Sequence, residues 1–275
     1  MIYIAFYYVV WLCHGSSYCR TPNVMSFSRK TTTFMPASHQ SERKCFIMSR
    51  PEIANPPELF YDDVEAKKYD SSSRIINIQA EITERALEML ALPQGRTCYL
   101  LDIGCGSGLS GQVLEEAGHY WVGCDIAQSM LEIANEREAE QGDLVNSDMG
   151  QGLPFKPGTF DGCISISALQ WLCYSNSSDQ DPKLRLNRFF SSLYAVLKKD
   201  AKAVLQFYPE SSEQAVLIAQ CASKVGFAGG VVIDFPNSSK AKKYYLCLSF
   251  ERSYKVPEAQ GLNVQDGVEV LQALK

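Results

Sequence analysis

The chain has little histidine and no paired cysteines. Among 275 residues there are three His, and none of the ten Cys stands in a C-x-x-C pair or at zinc-ligand spacing, so we expect no metal site. Five cysteines lie in apolar strand or glycine-loop patterns, and we expect them to be small buried hydrophobes in a reducing compartment: Cys98, Cys105, Cys124, Cys163 and Cys247.

The chain also lacks an excess of positive charge. Its net charge of −5 excludes a global nucleic-acid footprint, so any RNA contact must come from local patches. The apolar run at 1–13 is too short to span a bilayer, and no basic residues precede it as in a signal peptide. We therefore expect no membrane partner. With 46% hydrophobic and 21% charged residues, the remainder has a globular composition.

Residues 1–47 do not fit the pattern of the rest. An aromatic and apolar stretch is followed by a Ser/Thr-rich one with five basic residues and one acid. We interpret this segment as a non-native or disordered extension preceding a true start at Met48, and exclude it from fold reasoning.

From Met48 onward, strand-like and helix-like segments alternate. Strands are predicted at 98–103, 121–126, 144–148, 160–167 and 201–208, with helices at 109–117, 128–137 and 182–197 between them. Helices are also predicted at 62–69, 77–90 and 211–225, two last strands at 231–235 and 243–250, and an extended arm at 51–57. The alternation predicts an α/β fold with a doubly wound, mostly parallel, seven-stranded sheet, closed by an antiparallel hairpin.

A glycine loop follows the first strand. Gly104, Gly106 and Gly108 bring the backbone close to a ligand, and the helix that starts near Leu109 offers free N–H groups to an anion. Asp125 ends the next strand, where its carboxylate can accept hydrogen bonds from both ribose hydroxyls. The site therefore suits a nucleoside with an anionic group, and both NAD and S-adenosylmethionine remain open.

Asp102 and the glycine spacing resemble motif I of the class I S-adenosylmethionine-dependent methyltransferases, Asp-x-Gly-x-Gly-x-Gly, and differ from the G-x-G-x-x-G of NAD sites. Asp148 and Met149 end the third strand, where Asp148 could accept a hydrogen bond from the adenine amino group and Met149 could lie beside the ring. Phe160-Asp161 opens the fourth strand. On this Rossmann-like reading the cofactor-binding residues are Tyr69, Arg74, Asp102, Gly104, Cys105, Gly106, Gly108, Asp125, Ile126, Met130, Asp148 and Met149.

Several longer segments resemble the eukaryotic small-subunit ribosomal RNA guanine-N7 methyltransferases. They are 56–62 (PPELFYD), 98–106, 118–123, 148–152, 162–172 with its Gln-Trp pair, and 235–243 with Pro-Asn-Ser. The resemblance covers 48–250. It implies methylation of one guanine in small-subunit ribosomal RNA of the pre-ribosome, in the nucleus (nucleoplasm and nucleolus) and cytoplasm. It also implies a heterodimer with a small zinc-binding activator subunit.

The chain departs from that family at its C-terminus. Family members continue into a Lys/Arg-rich tail, whereas 251–275 has three basic and four acidic residues. This atypical tail puts nuclear targeting and part of the pre-ribosome contact in doubt and leaves the cofactor site intact.

Guanine N7 carries a lone pair and no proton, so no catalytic acid or base is predicted. Trp171 and Tyr208 follow the fourth and fifth strands and could position a flipped base, although both also suit a core. Lys240, Lys242 and Lys243 suit phosphate contacts. Two alternatives stay open: a small-molecule or protein acceptor, and an assembly factor whose cofactor site is structural. The third strand is predicted to be a sheet edge that a partner strand can join.

Overall fold

The computed structural model describes residues 50–175 and 180–262. The predicted extension at 1–47, the predicted start at Met48 and residues 263–275 of the tail lie outside these ranges. The helices are α1 Pro51–Ala54, α2 Pro57–Phe60, α3 Asp63–Asp70, α4 Ser73–Leu90, α5 Leu109–Glu116, α6 Gln128–Glu136, α7 Pro182–Val196 and α8 Ser212–Val225. The strands are β1 Tyr99–Ile103, β2 Tyr120–Asp125, β3 Gly142–Asn146, β4 Phe160–Ile166, β5 Leu197–Phe207, β6 Ala228–Asp234 and β7 Lys243–Ser249, and 3-10 turns cover Met149–Gln151 and Leu169–Cys173.

The seven strands form one sheet in the order β3-β2-β1-β4-β5-β7-β6. The first five pair in parallel, and β7 is antiparallel to both of its neighbours, β5 and β6. The predicted doubly wound sheet with an antiparallel C-terminal hairpin is confirmed. The predicted edge position of the third strand is confirmed as well, since β3 pairs with β2 alone among the described strands.

The sheet is buried on both faces, as parallel strands require. Successive residues of β1 point to opposite sides: Leu101 packs with Phe189 and Phe190 of α7, and Leu100 packs with Met89 of α4. The five cysteines that the sequence placed in the interior are buried, and every cysteine of the described ranges is free, as predicted.

The N-terminal segment is where the prediction and the structure differ most. The arm predicted as extended at 51–57 instead contains α1 and begins α2 at Pro57, so that prediction was wrong. Both helices have proline in the first turn, where its missing N–H costs no hydrogen bond and its fixed φ favours the helix. α4 also begins four residues before its predicted start, because the Ser72 hydroxyl accepts a hydrogen bond from Ile75 N and caps it.

Residues 251–262 lie against the domain. Tyr254, Val256 and Ala259 pack on the α4 side of the sheet. The Arg85 guanidinium donates to the Glu258 carbonyl (2.8 Å) and to the Asp234 carboxylate (2.9 Å), which also accepts from Gln260 N (2.8 Å). Across the described ranges, no helix combines the length and apolar character needed to cross a bilayer.

Candidate cofactor and acceptor site

One large cavity, of about 1580 Å³, lies at the carboxyl edge of the sheet. Residues that follow β1 to β5 line its floor, among them Gly104, Asp125, Ser147, Ser167 and Tyr208. Helices α1, α3 and α4 contribute to its wall, as does the β6–β7 connection. Ligands of open α/β sheets bind at this edge, so the position indicates the functional site.

The glycine loop is a cradle that side chains would fill. Gly104 and Gly106 have φ of +71° and +53°, in the left-handed region that favours glycine. A Cβ on Gly104 would lie 2.2 Å from the Ala168 Cβ, and one on Gly106 would lie 3.0 Å from the Met130 Cε. Gly104 N and Cys105 N both donate to the Cys124 carbonyl, which fixes the loop on β2.

Asp125 joins this loop to the start of α6. Its Oδ2 accepts from Gly106 N (2.9 Å) and its Oδ1 accepts from Ala127 N (2.8 Å). Burial raises the pKa of Asp125, and these backbone donors act in the opposite direction. Each carboxylate oxygen keeps a second lone pair, so the group can still accept from two ribose hydroxyls.

Two predicted cofactor residues lie behind the loop and not on the cavity wall. Asp102 is fully buried, and its Oδ2 accepts a 2.5 Å hydrogen bond from the Ser110 hydroxyl on α5. Gly108 is the N-cap of α5, where a Cβ would lie 3.2 Å from the Ala134 Cβ. Asp102 and Gly108 therefore help to hold the glycine loop in its conformation, and their positions do not favour direct contact with a ligand.

Asp148 has a partner that sequence reasoning missed. Its Oδ1 accepts from Gly150 N (2.8 Å) and from the Arg185 guanidinium on α7 (2.9 Å). Arg185 is only 6% exposed, and its Nε lacks a hydrogen-bond partner among the described residues. Its sequence signal was a charged residue one turn before Phe189, on the apolar stripe of an amphipathic helix. Met149 and Ile126 line the cavity beside Asp148.

The N-terminal helices bring further predicted residues over the loop. Tyr69 on α3 and Arg74 on α4 line the cavity. The Tyr69 ring packs edge-on against Tyr61, and burial raises the pKa of both phenols. Arg137, at the end of α6, pairs with Asp70 and donates to the Ser107 carbonyl (2.6 Å), so it ties α3 to the glycine loop.

The two residues predicted to position an acceptor both line the same cavity. Trp171 is 7% exposed and packs against Phe60 and Tyr61, each with its ring centroid 5.9 Å away. Tyr208 directly follows β5, and burial raises the pKa of its phenol. Ser167 lines the same cavity, and its φ of +58° is strained for a non-glycine residue. The structure brings the predicted acceptor residues together, and their roles stay predictions.

The residues present fit S-adenosylmethionine. The glycine cradle suits the methionine moiety and Asp125 suits the ribose hydroxyls. Met130, Asp148 and Met149 line the same cavity, and their role at the adenine stays a prediction. The family described as Methyltransferase domain matches residues 101–205, which contain this loop. The fold and the site therefore define a class I S-adenosylmethionine-dependent methyltransferase, and the NAD alternative is excluded.

Curated relatives narrow the class. The chain is 61% identical over 209 residues to the 18S rRNA (guanine-N7)-methyltransferase of Mus musculus, covering 76% of this chain and 74% of the relative. It is 56% identical over 220 residues to the probable 18S rRNA (guanine-N7)-methyltransferase of Dictyostelium discoideum, covering 80% and 76%. The chain belongs to the family of 18S rRNA (guanine-N7)-methyltransferases.

Solved structures share the fold at low identity. A geranyl diphosphate methyltransferase in complex with S-adenosylmethionine has a TM-score of 0.52 at 14% identity, over 70% of this chain and 92% of that one. The complex between the Haloferax volcanii Trm112 methyltransferase activator and a putative methyltransferase matches with a TM-score of 0.50 at 16% identity, over 68% and 96%.

Proposed function

We propose that the protein transfers the methyl group of S-adenosylmethionine to N7 of one guanine in small-subunit ribosomal RNA during ribosome assembly. The observation that carries this function is family membership across three quarters of the chain. The glycine loop and Asp125 are intact in the structure, which favours an active cofactor site over a structural one.

The cavity has room for two ligands. At about 1580 Å³ it exceeds the roughly 300–1000 Å³ of pockets that hold one small molecule. The half formed by the glycine loop, Met130 and Asp148 suits the cofactor. The half bounded by α1, Trp171, Tyr208 and the β6–β7 connection then accommodates a base extruded from its RNA stack.

The main requirement of this reaction is that the chain position the acceptor base relative to the methyl group. S-adenosylmethionine, when bound, supplies a methyl group on a positively charged sulfur. Guanine N7 presents its lone pair without losing a proton, so the chain needs no general base at this step. Its residues contribute by fixing the base in line with the methyl group and excluding water, and correct alignment alone supplies a large part of such rate enhancements.

The β6–β7 connection supports an RNA substrate. Lys240, Lys242 and Lys243 line the cavity, and the Lys243 ammonium lies 5.8 Å from the centroid of the Tyr208 ring. Lysines at the mouth of a base pocket suit the flanking phosphates, which position a nucleic acid without reading its sequence. An uncharged small-molecule acceptor would gain nothing from such a cluster.

An activator subunit is the proposed protein partner. The edge strand β3 offers backbone groups that another chain's strand can join. The fold neighbour from Haloferax volcanii is a methyltransferase bound to an activator, which supports this hypothesis. That the partner binds zinc remains a prediction. Family membership supports action in the nucleus and nucleolus, and a cytoplasmic pool also remains a prediction.

The decisive experiment uses the full chain, with and without an activator subunit, on unmethylated small-subunit particles and labelled S-adenosylmethionine. Borohydride–aniline cleavage, which cuts RNA at 7-methylguanine, maps the product. We expect cleavage at one guanine. Cofactor binding without methylation of the particles would contradict the proposal and indicate a different acceptor.

Asp125→Ala separates catalysis from assembly. Loss of charged hydrogen bonds of about 1.5–3 kcal/mol each predicts at least a tenfold weaker affinity for S-adenosylmethionine, measured by calorimetry, and loss of methyl transfer. Asp200→Asn, an exposed change on β5 outside the cavity, is the control. If cells carrying only Asp125→Ala still produce small subunits while cells without the protein do not, a structural assembly role exists beside the enzymatic one.

A further inference from the structure

Glu52 is a buried carboxylate on the wall of the cavity with an unsatisfied oxygen. It lies on α1, is 3% exposed, and lines the cavity together with Gln170 and Tyr208. Its Oε2 has no hydrogen-bond partner among the described residues. A buried carboxylate oxygen without a donor costs free energy, so Oε2 calls for a donor from outside the chain.

Neighbouring groups hold Glu52 in place but leave its Oε2 without a hydrogen bond. The Arg50 Nε lies 3.8 Å from Glu52 Oε2, within ion-pair range but beyond a hydrogen bond. Arg50 also donates to the Tyr208 carbonyl (2.7 Å), which anchors the start of α1 to the end of β5. Burial raises the pKa of Glu52, while hydrogen bonds from its own backbone and from the Gln170 side chain, together with the Arg50 charge, act in the opposite direction.

Glu52 lies in the acceptor half of the cavity. Its charge contributes to the raised pKa of Tyr61, whose ring packs on Trp171. Gln170 precedes Trp171, donates to the Ser167 carbonyl (2.7 Å) and accepts from Tyr208 N (3.4 Å). The carboxylate is therefore grouped with the residues that follow β4 and β5, and the glycine loop and Asp148 form the cofactor half.

We propose that Glu52 reads the Watson–Crick edge of the acceptor base and so selects guanine. This inference rests on the proposed function and deepens it. Guanine presents two adjacent donors, N1–H and the N2 amine, which a carboxylate can accept with its two oxygens. Adenine presents an acceptor at N1, which would face the carboxylate and be repelled. These donors lie across the purine from N7, so a base held by Glu52 leaves N7 free for the methyl group.

The test compares Glu52→Gln with wild type and with Glu58→Gln, which makes the same charge change at an exposed position on α2 outside the cavity. Small-subunit particles are reconstituted with guanosine or inosine at the target position. Inosine keeps N7, O6 and N1–H and lacks only the N2 amine. Initial rates of methyl transfer and calorimetric affinity for S-adenosylmethionine are measured for each protein.

We expect wild type and Glu58→Gln to methylate guanosine at least tenfold faster than inosine, as one charged hydrogen bond predicts. In Glu52→Gln the amide N–H₂ opposes the N2 amine, so transfer to guanosine falls at least tenfold and the guanosine-to-inosine ratio drops to about one or below. Affinity for S-adenosylmethionine stays within about twofold of wild type.

The ratio decides the outcome even if the variant folds less stably, because it compares two substrates of the same protein. A Glu52→Gln protein that keeps the wild-type ratio overturns the role of Glu52. A wild-type protein that discriminates by less than twofold between guanosine and inosine also overturns it. A wild-type protein that methylates neither particle contradicts the proposed function instead.

Discussion

At the scale of the residue, Asp102 shows how burial changes a carboxyl group. Its Oδ1 has no hydrogen-bond partner among the described residues, and the Ser110 hydroxyl donates to its Oδ2. Burial raises the pKa of Asp102 from 3.8 to about 7, and the Ser110 hydrogen bond opposes this only in part. Asp102 therefore keeps its proton up to near neutral pH. Through Ser110 it also connects β1 to α5 on either side of the glycine loop.

This pKa predicts a pH-dependent stability. Between about pH 4 and pH 7 the folded protein keeps a proton that the unfolded chain has lost, so the Asp102 contribution to stability falls as pH rises and is constant above that range. The slope is at most about 1.4 kcal/mol per pH unit. Urea unfolding at several pH values should give a flatter profile for Asp102→Asn than for wild type.

The control is Asp143→Asn, an exposed carboxyl on β3, whose profile should follow wild type. Parallel profiles for wild type and Asp102→Asn would show that Asp102 ionises normally, and would contradict the prediction.

At the scale of the element, helix α5 depends on close packing against β2. Gly111 lies in the interior of α5, where alanine would ordinarily stabilise the helix by about 1 kcal/mol. In this structure a Cβ at Gly111 would lie 2.3 Å from two ring carbons of Trp121. The same indole also packs against Gly142 of β3, so the ring cannot shift away from Gly111.

Gly111→Ala is therefore expected to lower the free energy of unfolding by about 1–3 kcal/mol, because overpacking outweighs helix propensity. Denaturant titration followed by tryptophan fluorescence measures the change. Gln112→Ala, at the exposed neighbouring position, should shift stability by less than about 0.5 kcal/mol. A stabilised Gly111→Ala protein would show that the ring and helix separate easily.

At the scale of the whole molecule, one arginine joins three distant parts of the chain. Arg85 of α4 donates to Asp234 at the end of β6 and to the Glu258 carbonyl in the C-terminal segment. Asp234 is 2% exposed and also accepts from Gln260 N. The arrangement fixes the β6–β7 connection, with its lysines, beside the acceptor half of the cavity.

Arg85→Met keeps much of the volume and removes the charge, which leaves the Asp234 carboxylate buried without its ion-pair partner. We expect a loss of about 3–5 kcal/mol in the free energy of unfolding, as for other broken buried pairs. Chemical denaturation measures it. Glu88→Gln breaks only the exposed Arg85–Glu88 pair and should cost less than about 1 kcal/mol. Equal losses in both variants would contradict the prediction.

The local sequence pattern was sufficient to predict most of the fold. The alternation of apolar strands and amphipathic helices predicted the sheet. Asp102 and the glycine spacing, through their resemblance to motif I, indicated the cofactor class, because both patterns are formed by residues close together in the chain. The main error was the extended arm predicted at 51–57, where Pro51 and Pro57 instead stand in the first turns of two short helices.

Only the tertiary structure decided which distant residues meet. Arg185 pairs with Asp148 across 37 positions, and Arg50 holds Tyr208 across 158, so neither contact leaves a periodic trace in the sequence. Glu52 likewise has no distinguishing signal in the sequence. Its burial becomes visible only in the structure, where α1 lies over the ends of β4 and β5. Such a residue is desolvated and positioned by segments that are far apart in the chain, and these contacts decide what it can bind. The sequence by itself determines only the helix or strand on which the residue stands.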